Sequence, residues 1–273
     1  MEAIVLVGGK GTRLRSVVSD VPKPMAPVKD KPFLEYLLNE LINQGISKAV
    51  LAVGYKAEII MEYFGNRYED MEIEYSIEEN SLGTGGAIKK ALELTTESNI
   101  VIVNGDTFSK VNLVEMMKKH LKNKADLTIA TKTMREFDRY GQVLSENDKI
   151  VGFREKQYCD EGNINIGTYI IKKNFFKDIK TEEVFSFEND IMEKYFDEMV
   201  EEYNTAVRAN IPPLITELPP TRPIFSRIRT LLPFSAAVIP AASPAKPEPT
   251  MTTSHSSSNF TSFALIAASA FAA

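Results

Sequence analysis

The sequence predicts an α/β fold in which a mainly parallel sheet is flanked by helices. Two observations carry this prediction. Short apolar, β-rich runs alternate with longer segments of helical period up to about residue 198, and glycine-rich turns follow several of those runs. With 273 residues, of which 44% are hydrophobic and 25% charged, the chain can bury a substantial core. The alternation is typical of βαβ units and therefore predicts a Rossmann-like sheet.

Strands and helices alternate from the N-terminus onward. Strands are predicted at residues 3–7, 48–53, 73–77, 99–103, 125–131 and 165–171, with a β-hairpin at residues 142–153. Helices are predicted at residues 31–44, 57–64, 86–94, 113–122 and 187–196. The first helix carries a stripe of leucines and ends at Gly45, and the Ile/Val-rich run at 99–103 suits a strand buried on both faces. Ligands of such folds bind at the carboxyl edge of the sheet.

The composition changes after residue 198. All 14 glycines lie at or before Gly167, no aspartate follows Asp197, and ten of the 14 prolines come after that point. Proline interrupts helices and removes strand hydrogen-bond donors, so we expect a poorly structured tail that adds no strand to the sheet. The predicted division is an α/β domain at 1–198, incomplete at its C-terminal side, and a disordered or foreign tail at 199–273.

Charge and rare residue types exclude several classes of function. The 32 basic and 37 acidic residues give a net charge of -5, which disfavours a nucleic-acid partner. The single Cys159 rules out an internal disulfide framework, and two histidines leave little room for a histidine-based triad. The sequence shows neither a secretory leader nor an apolar run long enough to cross a bilayer. We therefore expect a cytoplasmic protein without a membrane partner; the pattern predicts no oligomeric state.

A glycine-rich loop follows the first predicted strand. It consists of Gly8, Gly9, Lys10, Gly11, Thr12 and Arg13. Glycines let backbone amides approach a phosphate chain, and an arginine can bind two phosphate oxygens at once. Lys23, between two prolines, is an ammonium on a stiff backbone and suits one reacting phosphate. The spacing fits neither a Walker A loop nor a complete GxGxxG motif, and the alternative is a tight turn with solvated Lys and Arg.

Residues 8–14 and 22–24 resemble the signature of the sugar-phosphate nucleotidylyltransferases, GGxGTRL followed about ten residues later by PKP. The likeness covers roughly the first 198 residues. It looks greatest for D-glycero-D-manno-heptose 1-phosphate guanylyltransferases, with mannose-1-phosphate guanylyltransferases next. The resemblance implies the nucleotide-diphospho-sugar transferase fold and transfer of a nucleoside monophosphate from an NTP to a sugar 1-phosphate. It assigns Arg13 to the β and γ phosphates and Lys23 to the α phosphate.

Residues 82–87, Leu-Gly-Thr-Gly-Gly-Ala, are similar to the family's LGTAG segment, which implies nucleotide contacts for Gly83 and Thr84. The missing side chains let a flat base lie against the backbone. Glu78 stands where relatives place a base-reading side chain. A carboxylate accepts two hydrogen bonds and so matches the adjacent N1–H and N2–H donors of guanine, whereas uracil or thymine would present carbonyl oxygens. GTP is therefore the favoured nucleotide, unless Glu78 is an ordinary solvated loop residue.

Asp106 follows the most apolar predicted strand. An acid at the end of a buried strand is costly unless a partner stabilises it, and Mg²⁺ accepts a single carboxylate together with phosphate oxygens and water. The resemblance assigns Asp106 the role of metal ligand; the alternative is a cap for the following helix. The predicted catalytic residues are therefore Arg13, Lys23 and Asp106.

By the same resemblance, four residues face the sugar phosphate. Gly141 and Asn165 would contact sugar hydroxyls, Glu155 would accept from hydroxyls, and Lys156 would pair with the phosphate. Relatives usually have proline after this Glu-Lys pair, where this chain has Gln157. An ordinary surface pair is the alternative interpretation.

One feature of the family pattern is absent from the sequence. Relatives complete the metal site with a second aspartate in a segment like F-I-D-I-G followed by P-x-D-Y, and the tail contains no such segment. The chain is therefore expected to bind metal more weakly. The alternatives to a heptose 1-phosphate guanylyltransferase are a mannose-1-phosphate guanylyltransferase and an inactive remnant that binds nucleotide or sugar phosphate.

Overall fold

The computed structural model describes residues 1–9, 21–146, 149–154 and 156–194, and the backbone of Ile228–Phe234. The strands are β1 Glu2–Leu6, β2 Pro27–Val28, β3 Lys31–Pro32, β4 Lys48–Val53, β5 Arg67–Tyr68, β6 Met71–Ile77, β7 Asn99–Asn104, β8 Leu127–Phe137, β9 Gln142–Glu146, β10 Lys149–Arg154, β11 Cys159–Lys172 and β12 Ile228–Phe234. The α-helices are α1 Phe33–Asn43, α2 Ala57–Phe64, α3 Gly83–Ala91 and α4 Leu113–Lys122.

Ten strands of the described chain form one mixed sheet. Its main path runs β10-β9-β11-β7-β1-β4-β6-β5, and β8 pairs with β11. Strands β7, β1, β4 and β6 are mutually parallel, whereas β11 runs antiparallel to β7. The chain reverses its order across β1, which pairs with β4 on one side and β7 on the other. Such a switch point opens a crevice at the carboxyl ends of the strands.

Side chains of the central strands alternate between two cores. On β1, Ala3 and Val5 pack with the leucines of α1, whereas Ile4 packs on the opposite face with Ile88 of α3. Both cores consist of side chains that are almost completely buried. Burial on both faces explains the continuous apolar runs of these parallel strands and fixes the strand ends at the crevice.

The predicted fold class is confirmed, and most predicted elements have the expected type. Strands β8 and β11 extend well beyond the predicted 125–131 and 165–171, because their outer halves pair with each other through exposed polar residues and carry no apolar run. Helix α3 begins at Gly83, so the glycine-rich turn is itself the first helical turn. The predicted helix at 187–196 is a π-helix over Phe187–Glu193, and residues 195 and 196 lie outside the described residues.

Within its described residues, 228–234, the tail forms a strand that the sequence did not predict. β12 pairs in parallel with β8, with Leu231 opposite Ile129. The expectation that residues 199–273 add no strand to the sheet is therefore wrong for these seven residues. Ile228–Phe234 includes Pro233, which an edge strand tolerates because one of its sides needs no hydrogen-bond donor. The other residues after Lys194 lie outside the described part of the chain.

Candidate active site

The carboxyl ends of the parallel strands bring together Gly8 after β1, Gly54 after β4 and Glu78 after β6. A Cβ atom on Gly8 would lie 2.7 Å from Glu78 Oε1 and 3.3 Å from the backbone nitrogen of Gly54. A side chain at position 8 would therefore have to displace the Glu78 carboxylate, and glycine leaves that space to it. A Cβ atom on Gly9, by contrast, would have no atom of the described residues within 4 Å. The loop and the predicted base-reading acid thus form one surface.

The Glu78 carboxylate is held by the start of the next helix. Its Oε2 accepts a hydrogen bond of 3.0 Å from the backbone N–H of Leu82. Burial raises the pKa of Glu78 above its ordinary value, and that hydrogen bond and the charge of Lys90 oppose the shift. The carboxylate is thus fixed in orientation and partly desolvated. Each of these properties strengthens its hydrogen bonds to a ligand.

Lys23 and Asp106 form an ion pair with 2.7 Å between Nζ and Oδ2. Lys23 opens a short 3₁₀ turn, Lys23–Met25, in which Pro24 and Met25 are buried. Asp106 Oδ1 also accepts a hydrogen bond of 3.2 Å from the Thr107 hydroxyl. The Lys23 side chain is 19% exposed and that of Asp106 38%, so both charges remain accessible from the crevice.

Gly105 places Asp106 beside the glycine-rich loop. Its N–H donates to the Leu6 carbonyl at 2.9 Å, and a Cβ atom there would lie 2.4 Å from Val7 Cγ1. Only glycine lets the chain turn this closely over the end of β1. We call Gly8, Lys23, Glu78 and Asp106 the nucleotide side of the site.

The glycines of the 82–86 turn have a different explanation from the one the sequence suggested. Cβ atoms on Gly83, Gly85 and Gly86 would lie 2.4, 2.1 and 2.7 Å from atoms of residues 183–185. The backbone of Phe185 is hydrogen-bonded to this turn in both directions, through Gly85 N–H and the Leu82 carbonyl. The missing side chains therefore admit a protein segment on this face. Nucleotide contact by Gly83 stays a prediction.

The Thr84 hydroxyl also faces protein groups. It donates to Glu188 Oε2 at 2.6 Å and accepts from the backbone N–H of Phe187 at 2.9 Å. Glu188 belongs to the π-helix, and sequence reasoning assigned it no role. No periodicity or motif singles it out, because two of its partners, Thr84 and Tyr169, are more than 15 residues away in the sequence.

The sugar side comprises Gly141, Lys156 and Asn165. Asn165 lies on β11, whereas Gly141 directly precedes β9 and Lys156 lies between β10 and β11. The register of β11 shifts between Asn165 and Tyr169, and this bulge re-aims Asn165. The Asn165 Oδ1 accepts from Gly167 N–H at 2.9 Å, and its Nδ2 donates to Tyr169 Oη at 2.9 Å. Gly141 packs near the Arg154 carbonyl, and Lys156 is exposed.

Four predicted site residues lie outside the described residues: Gly11, Thr12, Arg13 and Glu155. Their assignments stay predictions.

Asn104 is a polar residue of the site for which the sequence supplied no role. It ends β7, two residues before Asp106, and its Oδ1 is buried without a hydrogen-bond partner. Gly167 has a φ of +72°, and a Cβ atom there would lie 2.4 Å from Asn104 Nδ2. The bulge in β11 therefore needs glycine both for its backbone conformation and for the space that Asn104 fills.

Asp106 fits Mg²⁺ as a single ligand. It offers hard carboxylate oxygens at the accessible crevice, and magnesium commonly binds one or two carboxylates together with substrate phosphates. Within the described ranges, no three His, Cys, Asp or Glu residues are grouped as a metal cluster. Magnesium binding at Asp106 stays a prediction, and such a site would need phosphate oxygens to complete it.

Comparison with known proteins relates this site to one family. The family model described as nucleotidyl transferase matches residues 2–211. A D-glycero-alpha-D-manno-heptose 1-phosphate guanylyltransferase from Aneurinibacillus thermoaerophilus is 56% identical over 196 residues, which cover 72% of this chain and 85% of that protein. The enzyme of the same name from Campylobacter jejuni is 45% identical over 196 residues, or 71% and 86% of the two chains.

A solved structure shares the fold. The crystal structure of HddC from Yersinia pseudotuberculosis, complexed with GMP-PN, aligns with a TM-score of 0.61 and 35% identity. The alignment covers 70% of this chain and 84% of that one. In the described part of this chain, no helix is both long and apolar enough to cross a membrane.

Proposed function

Because the chain belongs to the nucleotidyl transferase family, we propose that it transfers a nucleoside monophosphate from an NTP to a sugar 1-phosphate. GTP is the proposed nucleotide and D-glycero-D-manno-heptose 1-phosphate the proposed acceptor. The products are an NDP-sugar and pyrophosphate. The observation that carries the proposal is the convergence of Gly8, Glu78 and the Lys23–Asp106 pair at one crevice. The chain that contains this crevice is 56% identical to a D-glycero-alpha-D-manno-heptose 1-phosphate guanylyltransferase.

In the proposed reaction, a phosphate oxygen of the sugar 1-phosphate attacks the α phosphorus of GTP. The new P–O bond forms as the bond from the α phosphorus to the bridging oxygen breaks, and pyrophosphate leaves with that electron pair. Lys23 lies at the crevice, where its ammonium can turn from Asp106 to the α phosphate and stabilise the negative charge. A sugar phosphate is already ionised at neutral pH, so the reaction needs no general base.

We propose Mg²⁺ as the cofactor and Asp106 as its protein ligand. When bound, the metal would neutralise charge on the nucleotide phosphates. Asp106 can serve it because its side chain is partly exposed and follows β7 directly into the crevice.

Glu78 supports the choice of guanine. Its carboxylate is held by Leu82 N–H against Gly8, and it keeps lone pairs for the two adjacent donors of a guanine edge. A pyrimidine carbonyl at the same place would face a carboxylate and lose its hydrogen bond. On the sugar side, Asn165 supports a hydroxyl-bearing ligand because each end of its amide keeps one hydrogen-bonding position beyond the partners already described.

The test is the full chain with Mg²⁺, one nucleotide among GTP, UTP and dTTP, and either D-glycero-D-manno-heptose 1-phosphate or mannose 1-phosphate. Pyrophosphate release and the mass of the NDP-sugar are measured. We expect the highest kcat/KM for GTP with the heptose phosphate. A preference for mannose 1-phosphate would transfer the proposal to the mannose guanylyltransferases, and a preference for UTP would contradict the role of Glu78.

A second candidate function is binding without turnover. The specific observation in its favour is that the sequence after Asp197 contains no aspartate to supply a second metal ligand. Calorimetric binding of guanine nucleotide and sugar phosphate, with no pyrophosphate release at any Mg²⁺ concentration, would establish this alternative.

A further inference from the structure

A hydrogen-bond network joins the nucleotide-binding turn, by which we mean residues 82–86 with the predicted nucleotide contacts Gly83 and Thr84, to the sugar side through Glu188. The carboxylate accepts from three hydroxyl groups. Its Oε2 accepts from Thr84 at 2.6 Å and from Ser186 at 3.2 Å, and its Oε1 accepts from Tyr169 at 3.3 Å. Both carboxylate oxygens are therefore used, one towards each side of the site.

The network has a defined direction because an ionised carboxylate can only accept. The Tyr169 hydroxyl must donate to Glu188, so its lone pair accepts the hydrogen bond from Asn165 Nδ2. Burial raises the pKa of Tyr169 well above its ordinary value, and its phenol therefore retains the proton that it donates. Asn165 is in turn held with its oxygen towards Gly167 N–H. Gly167 N–H thus fixes which end of the Asn165 amide faces which partner, and the Glu188 carboxylate fixes the Tyr169 hydroxyl that accepts from the other end.

The network has two branches, one from Glu188 through Tyr169 to Asn165 and the other from Glu188 to Thr84. The second branch fixes the Thr84 hydroxyl in the same way. Its hydroxyl donates to Glu188 and accepts from Phe187 N–H, so the first turn of α3 is tied to the π-helix. The Tyr169 ring packs edge-on against Phe187 with 5.3 Å between ring centroids. This contact ties Tyr169 to the π-helix, to which Thr84 is also hydrogen-bonded.

We propose that Glu188 is a positioning residue that orients the nucleotide-binding turn through Thr84 and the sugar-binding Asn165 through Tyr169. The inference rests on the proposed function, because it concerns the same two substrates. Glu188 itself is not assigned contact with either ligand.

The Glu188→Gln variant tests the proposal, since it keeps the size of the side chain but supplies only one accepting oxygen. One hydroxyl, of Thr84 or Tyr169, then loses its acceptor and meets an amide donor. Binding is measured by calorimetry on the full chain, with guanosine 5′-(α,β-methylene)triphosphate as a nucleotide that cannot react and with D-glycero-D-manno-heptose 1-phosphate. We expect the dissociation constant of the ligand on the side that loses its acceptor to rise by roughly tenfold or more, as for a lost hydrogen bond to a charged group. The other dissociation constant should rise less, because the amide oxygen still accepts there but carries no charge.

Two further variants separate the branches. Tyr169→Phe removes the hydroxyl that reaches Asn165 and is expected to weaken sugar phosphate binding alone, by roughly tenfold. Thr84→Val is expected to weaken nucleotide binding alone. The control is Glu182→Gln, an exposed acid on the segment before the π-helix, which is expected to change neither dissociation constant.

The outcomes are distinguishable. If the parent binds neither ligand, the proposed function fails. If the parent binds both and folded Glu188→Gln and Tyr169→Phe variants bind both equally well, the proposal for Glu188 is overturned while the proposed function stands. A merely structural role is identified if all variants lower the melting temperature and shift both dissociation constants in the same proportion, without separation of the branches; that result also overturns the proposal.

Discussion

On the nucleotide side, Gly8, Glu78 and Asp106 follow the carboxyl ends of parallel strands, whereas on the sugar side Asn165 lies at a bulge in an antiparallel strand. Gly8 and Glu78 lie one or two residues beyond β1 and β6, and the Glu78 carboxylate fills the space above Gly8. Asn165 lies within β11, and Lys156 is exposed between β10 and β11. The difference teaches that the first side is shaped by backbone packing and the second by side-chain hydrogen bonds.

The largest effect is expected from Lys23→Ala. Removal of the ammonium should lower kcat by about 10²–10³, as for the loss of one group that stabilises transition-state charge, with the melting temperature little changed. Arg13→Ala is expected to act likewise. Pyrophosphate release from GTP and the heptose phosphate measures the effect, and Lys122→Ala, an exposed lysine of α4, is the control. Unchanged turnover in Lys23→Ala would contradict the proposed role of this ammonium at the α phosphate.

Gly85→Ala tests the close packing of the turn at residues 82–86 against Phe185. The new methyl group would lie 2.1 Å from the Phe185 ring, and overpacking should lower the free energy of unfolding by about 1–3 kcal/mol. Urea denaturation measures it. The matched control on the other half of the sheet is Gly152→Ala, whose Cβ atom would lie 3.5 Å from Leu144 Cδ1, an ordinary contact. Equal stability of the two variants would contradict the difference in packing.

Glu78→Gln tests base choice. The amide replaces one acceptor by a donor, so the ratio of kcat/KM for GTP over UTP should fall roughly tenfold. Acidification protonates the Glu78 carboxylate and should likewise lower the preference of the parent for GTP. Because burial raises the pKa of Glu78, this fall should occur at a higher pH than it would for an ordinary glutamate. A pH-independent preference would contradict this assignment.

The same substitution has a stability effect of known sign. With its pKa raised in the folded state, Glu78 contributes stability below its unfolded-state pKa that is lost as the pH rises through the raised value. The Glu78→Gln variant does not lose stability in this way, because the amide does not ionise as the pH rises. The melting temperature of the variant relative to the parent should therefore be highest at neutral pH and decline in acid. Thermal unfolding from about pH 4, near the ordinary pKa of a glutamate, up to neutral pH measures the difference.

The smallest effect is expected from Lys156→Ala. An exposed lysine that pairs with a phosphate contributes little, so KM for the sugar phosphate should rise by up to about fivefold with kcat unchanged. Steady-state kinetics with the sugar phosphate varied measures it. A loss as large as that of Lys23→Ala would mean that the sugar side closes around its ligand.

Much of the nucleotide side could be predicted because its signals are local. A glycine-rich turn after an apolar strand, or an aspartate directly after one, can be recognised within about ten residues. The network around Glu188 could not, because it joins residues from three elements whose contacts depend on the folded sheet. The glycines at 83, 85 and 86 show a second limit: the sequence reveals that side chains are missing, but not whether a ligand or Phe185 occupies the space.

The Lys23–Asp106 pair has a consequence for ionic selectivity. Before any ligand binds, each of the two charges is compensated by the other across 2.7 Å. Under the proposed function, nucleotide binding is therefore an exchange of counterions, in which the ammonium leaves a carboxylate for a phosphate. Such an exchange depends less on salt than the filling of a bare cationic site would. A simple anion such as sulfate could take the ammonium from Asp106 but brings no cation for that carboxylate, so the crevice discriminates against it.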